Sequence, residues 1–207
     1  MAKIVKFPIN NSAKLGYKKV RKRKGVNLED FGQLNMFTTP PSEARVVSMQ
    51  SYESAFEQAL YLDEENSEQA AEYYWKAIKA GECAADAYCN LGILESAREN
   101  YVKAIDCLTN CLKHDPRHFE AHYNLANVYS EVGELNLAKL HYEISIEIEP
   151  DFESSYYNLG LVMAMQKDFK DAVRVLTKYK ELAPDTEQEN VEKLINSLQR
   201  SMKSKAQ

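Results

Sequence analysis

The chain repeats a pattern of residue types every 34 positions. An Asn-Leu-Gly or Asn-Leu-Ala triplet recurs at this interval, followed by an alanine and then by a proline. The members are Asn90, Leu91 and Gly92, then Asn124, Leu125 and Ala126, then Asn158, Leu159 and Gly160, with Ala104, Ala138 and Ala172 and with Pro116, Pro150 and Pro184. A fixed period of this length is typical of repeat architectures, in which each unit packs against its neighbours.

The period gives four repeats between residues 51 and 186, which begin at 51, 85, 119 and 153. The unit at 51–84 is degenerate, because Glu57 and Gln58 replace the Leu-Gly pair and Glu82 replaces the proline. Its first helix is expected to shift by one residue and to use Ala59 at the close contact. Terminal repeats are often atypical, since one of their faces meets water.

Small residues in each repeat indicate two helices in close contact. Gly92, Ala126 and Gly160 are predicted to face the alanines of the second helices, where small side chains permit a short interaxial distance. The prolines are expected to end the second helices. After Pro184, five apolar residues share one face and predict an end helix within residues 187–207: Val191, Leu194, Ile195, Leu198 and Met202.

The repeats resemble tetratricopeptide repeats over about two thirds of the chain. The unit at 85–118 carries the family's positions as Tyr88, Leu91, Gly92, Ala104, Leu108, Cys111 and Pro116. The resemblance implies an all-α fold: a right-handed solenoid of four helix hairpins, a capping helix and no catalytic activity. We therefore expect a scaffold for protein interactions.

In this family the first helices line a concave groove. The resemblance places there, as candidate peptide-binding residues, Asp86, Asn90, Ile93, Glu120, Tyr123, Asn124, Asn127, Glu131, Tyr157, Asn158 and Leu161. Asn90, Asn124 and Asn158 would form a ladder of carboxamides, each a donor and an acceptor, able to hold an extended peptide by its backbone. Asparagines that only cap or bridge helices are the alternative. The acidic rim of Asp86, Glu120 and Glu131 favours a neutral or basic partner.

Residues 1–50 differ from the repeats in charge and pattern. Residues 1–24 hold nine Lys or Arg and no acid, whereas the remainder holds 17 bases and 31 acids. No regular periodicity runs through this arm, so we predict that it is largely disordered. Its strongest basic cluster is Lys18, Lys19, Arg21, Lys22, Arg23 and Lys24.

Three roles are open for this cluster. It is a solubilising tail, a site that attracts nucleic-acid phosphates or directs nuclear import, or a segment that folds back over the acidic groove. A second short stretch, Gln33 to Phe37, resembles the peptide that docks on the bacterial sliding clamp. Local packing of that stretch on the first repeat is the alternative.

Composition and motifs exclude several other classes. No apolar run approaches 18 residues and no signal sequence is evident, so we expect a cytoplasmic protein with reduced cysteines and no membrane span. Cys107, Cys111, His114 and His118 suggest zinc by spacing, but along one helix they would span roughly 16 Å. We therefore predict no metal site, no cofactor and no catalytic residue.

Overall fold

The computed structural model of the protein describes residues 16–20 and 54–204. These residues form nine helices: α1 (Ala55–Glu64), α2 (Ala70–Ala80), α3 (Ala84–Ala97), α4 (Tyr101–His114), α5 (Phe119–Glu131), α6 (Leu135–Ile148), α7 (Glu153–Met165), α8 (Phe169–Leu182) and α9 (Asp185–Ser204). They fall into two compact units. One unit contains α1 and α2, and the other contains α3–α9 with residues 16–20. The predicted all-α repeat fold is confirmed.

The prolines end the second helices as expected. α4 ends at His114, α6 at Ile148 and α8 at Leu182, each two residues before a proline. The residue between helix and proline has left the helical conformation in each case, with ψ of 94° at Asp115, 85° at Glu149 and 149° at Ala183. The ring of a following proline disfavours the helical conformation at that residue, which fixes the helix end.

The turn inside each hairpin contains one left-handed residue. Glu99, Gly133 and Lys167 occupy the same place in successive repeats, with φ of 61°, 83° and 66°. In the first hairpin the corresponding residue is Asn66, one position later than the 34-residue spacing requires. The predicted shift of the first repeat therefore appears in its turn, and Ala59 is fully buried as expected.

Side-chain caps of the second helices differ between the hairpins. Asp168 accepts the backbone N–H of Asp171 at 3.5 Å at the start of α8, whereas Asn100 makes no such bond at the start of α4. The Asn100 side chain instead donates to Glu95 at 3.0 Å. The clearest cap belongs to α1, where Ser54 and Glu57 form a reciprocal capping box.

The two helices of a hairpin touch at a glycine and a leucine. A Cβ atom at Gly92 would lie 2.7 Å from Leu108 Cγ, and one at Gly160 would lie 2.6 Å from Leu176 Cγ. The leucine of the second helix therefore occupies the space that a side chain at the glycine of the first helix would need. Small residues here set the distance between the helices, as predicted, although the closest neighbour is the leucine rather than the alanine.

The end helix α9 packs on α8. Val191 and Leu198 are fully buried, Leu194 and Ile195 are half-buried, and Met202 is 37% exposed. Tyr179 of α8 donates a hydrogen bond of 2.7 Å to Glu187 of α9. Four of the five apolar residues predicted for this face therefore contribute to the contact.

Two histidines connect α5 to α6. The Nδ1 atoms of His122 and His141 lie 2.9 Å apart, and His122 Nε2 lies 3.2 Å from the Pro116 carbonyl oxygen. Nε2 of His122 therefore carries a proton and donates it, which leaves its Nδ1 to accept from His141. Burial lowers the pKa of His122, and burial together with the nearby His122 lowers the pKa of His141 to about 4.

Replacing Gly160 by valine tests the close contact in the last hairpin. We expect Gly160→Val to lower the free energy of unfolding by about 2–3 kcal/mol, because the new side chain must displace Leu176 from a filled core. Urea unfolding measures the change. Glu143→Val, at an exposed position of α6, serves as the control and is expected to cost less than about 1 kcal/mol. Equal effects of the two substitutions would contradict the close contact.

The histidine pair predicts a loss of stability in mild acid. Between pH 6.5 and about 4 the unfolded chain binds a proton at His141 that the folded chain excludes, so the free energy of unfolding falls as the pH drops. We expect His141→Gln to reduce this fall by about 1–2 kcal/mol, allowing for partial solvent screening. Urea titrations at both ends of the range measure it. The exposed His114→Gln variant should retain the wild-type fall, and an unchanged fall in His141→Gln would refute the prediction.

Candidate functional site

Residues 16–20, here called the groove segment, lie against the first helices of the second and third repeats. Asn90 of α3 holds Val20, whose N–H donates to Oδ1 at 2.8 Å and whose carbonyl accepts from Nδ2 at 2.9 Å. Asn124 of α5 holds Lys18 in the same way, at 2.8 and 2.9 Å. Each carboxamide therefore satisfies both backbone groups of one residue, as a neighbouring β-strand would.

The contacts Asn90–Val20 and Asn124–Lys18 follow the same spacing in the groove segment and in the repeats. A shift of two residues in the groove segment corresponds to one repeat in the scaffold, and the segment runs in the direction opposite to the repeat order. In an extended chain every second residue presents its backbone groups to the same side. Asparagines of successive repeats therefore pair with every second residue of the groove segment.

The third asparagine is placed differently. Asn158 Nδ2 donates to the Tyr123 hydroxyl and to Asn127 Oδ1, each at 3.1 Å. Tyr123 and Asn127 in turn donate to the Gly16 carbonyl, at 2.9 and 3.3 Å. Asn158 Oδ1 is buried and has no hydrogen-bond partner among the described residues. The third asparagine thus reaches the segment only through other side chains.

The side chains of the groove segment are held less uniformly. Val20 is 2% exposed and packs in an apolar cluster with Ile93 and Leu125. The Tyr17 hydroxyl accepts a hydrogen bond from Ser96, and the Lys18 ammonium lies 5.3 Å from the centre of the Phe152 ring. Lys18 and Lys19 are exposed. The scaffold therefore buries one side chain of the segment and leaves the two lysine side chains in solvent.

A cavity adjoins the amino-terminal end of the groove segment. Its volume is about 210 Å³, and it is lined by Gly16, Tyr17, Lys18, Tyr123, Phe152, Glu153 and Ser154. Tyr123 and Phe152 form its aromatic wall, with ring centres 4.9 Å apart in an edge-to-face arrangement.

The tyrosines of the groove remain hydrogen-bond donors at neutral pH. Burial raises the pKa of Tyr123 to about 12, and burial likewise raises the pKa of Tyr17. A phenol that keeps its proton can donate to a peptide carbonyl, as Tyr123 does to Gly16.

Two predicted rim acids point elsewhere. Asp86 Oδ1 lies 3.0 Å from His118 Nε2, and Glu120 Oε2 lies 3.3 Å from His118 Nδ1. Burial opposes protonation of His118, but the hydrogen bond with Asp86 and the nearby charges give a raised pKa. The expected acidic rim is therefore reduced. Asp86 is paired with a histidine that was not predicted to lie near the groove, whereas Glu120 Oε2 is buried beside the same ring without a hydrogen-bond partner among the described residues.

The remaining candidates are divided. Asn90, Ile93, Tyr123, Asn124 and Asn127 contact the groove segment, whereas Tyr157 packs on Tyr179 with ring centres 5.0 Å apart. Glu131 is exposed and Leu161 is half-buried on α7. The basic residues Arg21, Lys22, Arg23 and Lys24 and the stretch from Gln33 to Phe37 lie outside the described residues. The nucleic-acid and sliding-clamp hypotheses, and a disordered arm, therefore stay predictions.

Ser96 and Phe152 contact the groove segment but were not among the candidates. Ser96 lies on α3, the first helix of its repeat, where the family pattern places the groove, so that signal was available. Phe152 ends its repeat, at a position that the pattern does not assign to the groove, so only the structure reveals its contact with Lys18.

Comparisons with known proteins agree with the fold. Models of the tetratricopeptide repeat family match residues 85–118, 107–139 and 154–186. Anaphase-promoting complex subunit 3 of Schizosaccharomyces pombe is 30% identical over 112 residues, which cover 54% of this chain and 17% of that protein. The chain thus spans about a sixth of the length of this relative.

Solved structures of repeat proteins superpose on the chain. MamA of Desulfovibrio magneticus, from its residue 41 to the end, gives a TM-score of 0.64 at 19% identity and covers 72% of this chain and 84% of that one. The first repeat domain of Spaghetti, bound to an HSP90 peptide, gives 0.53 at 17% identity, with 57% and 92% covered. At these identities the likeness concerns the fold.

None of the helices in the described part of the chain has the length and apolar character needed to cross a bilayer. The 34-residue spacing, the helix hairpins with their glycine–leucine contacts and the three matching segments all lead to one family. The chain belongs to the tetratricopeptide repeat proteins.

Proposed function

We propose that this chain is a non-catalytic interaction adaptor whose groove binds an extended peptide segment of a partner through its backbone. The observation that carries the proposal is the pair of two-hydrogen-bond contacts that Asn90 and Asn124 make with Val20 and Lys18. We expect a partner segment to bind in the same extended conformation and with the same backbone hydrogen bonds as the groove segment.

The burial of the asparagines supports this function. Asn90 and Asn124 are both fully buried beneath the groove segment. A buried carboxamide without partners costs about 1–3 kcal/mol, so these side chains favour a state in which a backbone pairs with them. Side chains selected only for helix packing would not need this polarity.

The contacts define the kind of sequence that fits. Backbone pairing at every second residue requires N–H groups at the two paired positions, which excludes proline there. A β-branched or similar apolar residue suits the position of Val20, and the exposed position of Lys18 tolerates many side chains. Recognition is therefore broad, with one apolar anchor.

The groove segment itself would compete with a partner. It belongs to the same chain, so its effective concentration at the groove is high and an outside peptide must displace it. Competition of this kind was one of the roles open for the basic arm. It makes the affinity for partners depend on how firmly Val20 is held.

Asn158 offers a partner an advantage over the groove segment. Its buried Oδ1 has no hydrogen-bond partner among the described residues. The two-residue step from Val20 to Lys18 leads next to Gly16, yet the described contacts of Gly16 come from Tyr123 and Asn127. A partner backbone that donates an N–H to Asn158 would gain a hydrogen bond that the groove segment does not make.

Removal of one backbone donor from a peptide tests the pairing directly. We expect a peptide of residues 14–22 to bind a protein lacking residues 1–20, and N-methylation at Lys18 to weaken binding at least about 10-fold, because Asn124 loses its donor. Fluorescence anisotropy measures both affinities. Replacing the Lys18 side chain by alanine in the peptide should change the affinity little. Equal losses from both changes would indicate side-chain recognition and refute the proposal.

Substitution of the asparagine in the protein tests the same contact. Asn124→Ala should weaken binding of the unmodified peptide at least about 10-fold, since two hydrogen bonds are lost. Asn136→Ala removes the same group from an exposed position on α6 and is expected to leave the affinity unchanged. If the two variants bind alike, the asparagines have a structural role only.

Release of the groove segment should strengthen partner binding in the full chain. We expect Val20→Asp to raise the affinity for the same peptide several-fold, because a carboxylate cannot remain in the apolar cluster around Ile93. Lys19→Asp introduces the same carboxylate at an exposed neighbouring position, with a charge change one unit larger, and is the control. A Val20→Asp protein that binds no better than wild type would show that the segment does not compete.

A further inference from the structure

A cluster of metal-ligating side chains lies behind the groove. Cys89 of α3, Cys111 of α4 and His118 at the start of α5 each offer one ligand atom, and these atoms all lie within 4.8 Å of one another. The two cysteines are fully buried and His118 is 1% exposed. Three separate elements therefore converge on one point in the interior.

This cluster differs from the one that the sequence suggested. Cys107, Cys111, His114 and His118 were set aside because one helix would hold them too far apart. In the structure His114 stacks on Tyr88, with ring centres 5.6 Å apart, and Cys89 from the preceding helix takes its place near Cys111. Tertiary packing, rather than spacing along a helix, supplies the ligand set.

Equivalent positions in the other repeats show that the scaffold does not require these residues. The place of Cys89 is taken by Tyr123 and Tyr157, that of Cys111 by Ser145 and Tyr179, and that of His118 by Phe152 and Thr186. All three positions carry a metal-ligating side chain in the second repeat, but not in the third or the fourth. A packing requirement would not select two thiols and an imidazole together.

The surroundings of His118 allow its Nε2 to bind an ion. Nδ1 accepts the backbone N–H of Ala121 at 3.1 Å and lies 3.3 Å from Glu120 Oε2, a buried carboxylate oxygen without a hydrogen-bond partner among the described residues. Nε2 lies 3.0 Å from Asp86 Oδ1. A metal-bound histidine usually donates its other ring N–H to a carboxylate. An ion at Nε2 would therefore take the place of the proton there, and the imidazole proton would move to Nδ1 and be donated to Glu120. Asp86, next to Nε2, is the candidate for a fourth ligand.

We propose that Cys89, Cys111 and His118 bind a zinc ion, with Asp86 as the fourth ligand. Two thiolates and one imidazole form a ligand set that zinc prefers in tetrahedral sites. On binding, both thiols release their protons to solvent and the sulfurs coordinate the ion as thiolates. The ion joins the second repeat to the third, because α3 and α4 belong to one and α5 to the other.

The position of the site links it to the peptide groove. Cys89 Sγ lies 3.5 Å from Asn124 Nδ2, the same amide nitrogen that donates to Lys18. A zinc-bound sulfur carries more negative charge than a thiol and is a better acceptor. The ion therefore orients the carboxamide that pairs with the groove segment.

Cobalt substitution tests the site in the full-length protein. After removal of metals under reducing conditions, we expect one equivalent of Co²⁺ to give thiolate charge-transfer absorption and the visible bands of a tetrahedral ion. Zinc should displace the cobalt and raise the Tm by several degrees. Wild-type protein without these bands, or with a Tm that zinc leaves unchanged, overturns the proposal.

The variants separate ligands from neighbouring thiols. Cys89→Ser, Cys111→Ser and His118→Asn should each weaken cobalt binding at least about 10-fold, and asparagine keeps the capping acceptor at the start of α5. Cys107→Ser, a buried cysteine of α4 outside the cluster, should bind as wild type. Circular dichroism of the metal-free variants verifies that they fold. Loss of the bands in Cys107→Ser, or their retention in Cys89→Ser and Cys111→Ser, refutes the assignment.

Discussion

The structure depends on the close approach of two helices at a single small residue. In the second and fourth hairpins a leucine of the second helix fills the volume in which the first helix has no side chain, at Gly92 and Gly160. A filled contact of this kind transmits strain, since protein interiors have few voids into which a larger residue can expand. The spacing between helices is therefore fixed, and with it the direction of the first-helix side chains. Asn90 and Asn158 lie two residues before these glycines, and Asn124 lies two residues before the small residue Ala126, so the close contact of each hairpin positions its asparagine.

A fixed helix spacing explains how carboxamides replace a β-strand. Asn90 and Asn124 come from different repeats, yet they meet backbone groups two residues apart in one extended segment. This agreement needs a constant offset between repeats, which the hairpin contacts provide. The groove segment gains strand-like pairing without a sheet. Repeated positions in the scaffold thus pair with repeated positions of the segment's backbone, whose own repeat is regular whatever its sequence.

Much of the fold could be predicted from the sequence, because local rules determine it. Prolines set the ends of α4, α6 and α8, and the degenerate first repeat shifts by one residue at Asn66 and Ala59 as the pattern indicated. The family pattern placed Asn90, Asn124 and Asn158 in one row. Asn90 and Asn124 pair with one backbone, whereas Asn158 bonds to Tyr123 and Asn127 instead. Occupation of the groove by Val20 was harder to predict, since a basic string suggested charge pairing whereas an apolar side chain makes the buried contact. A run of basic residues indicates long-range attraction to an acidic surface. Burial of an apolar side chain decides which residue of the segment is bound in the groove.

The contacts that the sequence did not predict share one physical cause. His118 pairs with Asp86, and Cys89 approaches Cys111, because packing between neighbouring helices brings together residues that are distant in sequence. The 34-residue sequence pattern shows which residues the packing within each repeat requires. Residues at the junction of two repeats depend instead on the side chains that they contact in the neighbouring repeat. Comparing equivalent positions recovers part of this information. A residue type that recurs every 34 positions belongs to the scaffold or the groove, whereas the cysteines and the histidine occur together at one junction only. Departures from the repeat that coincide in space are therefore the place to look for chemistry that the scaffold alone does not require.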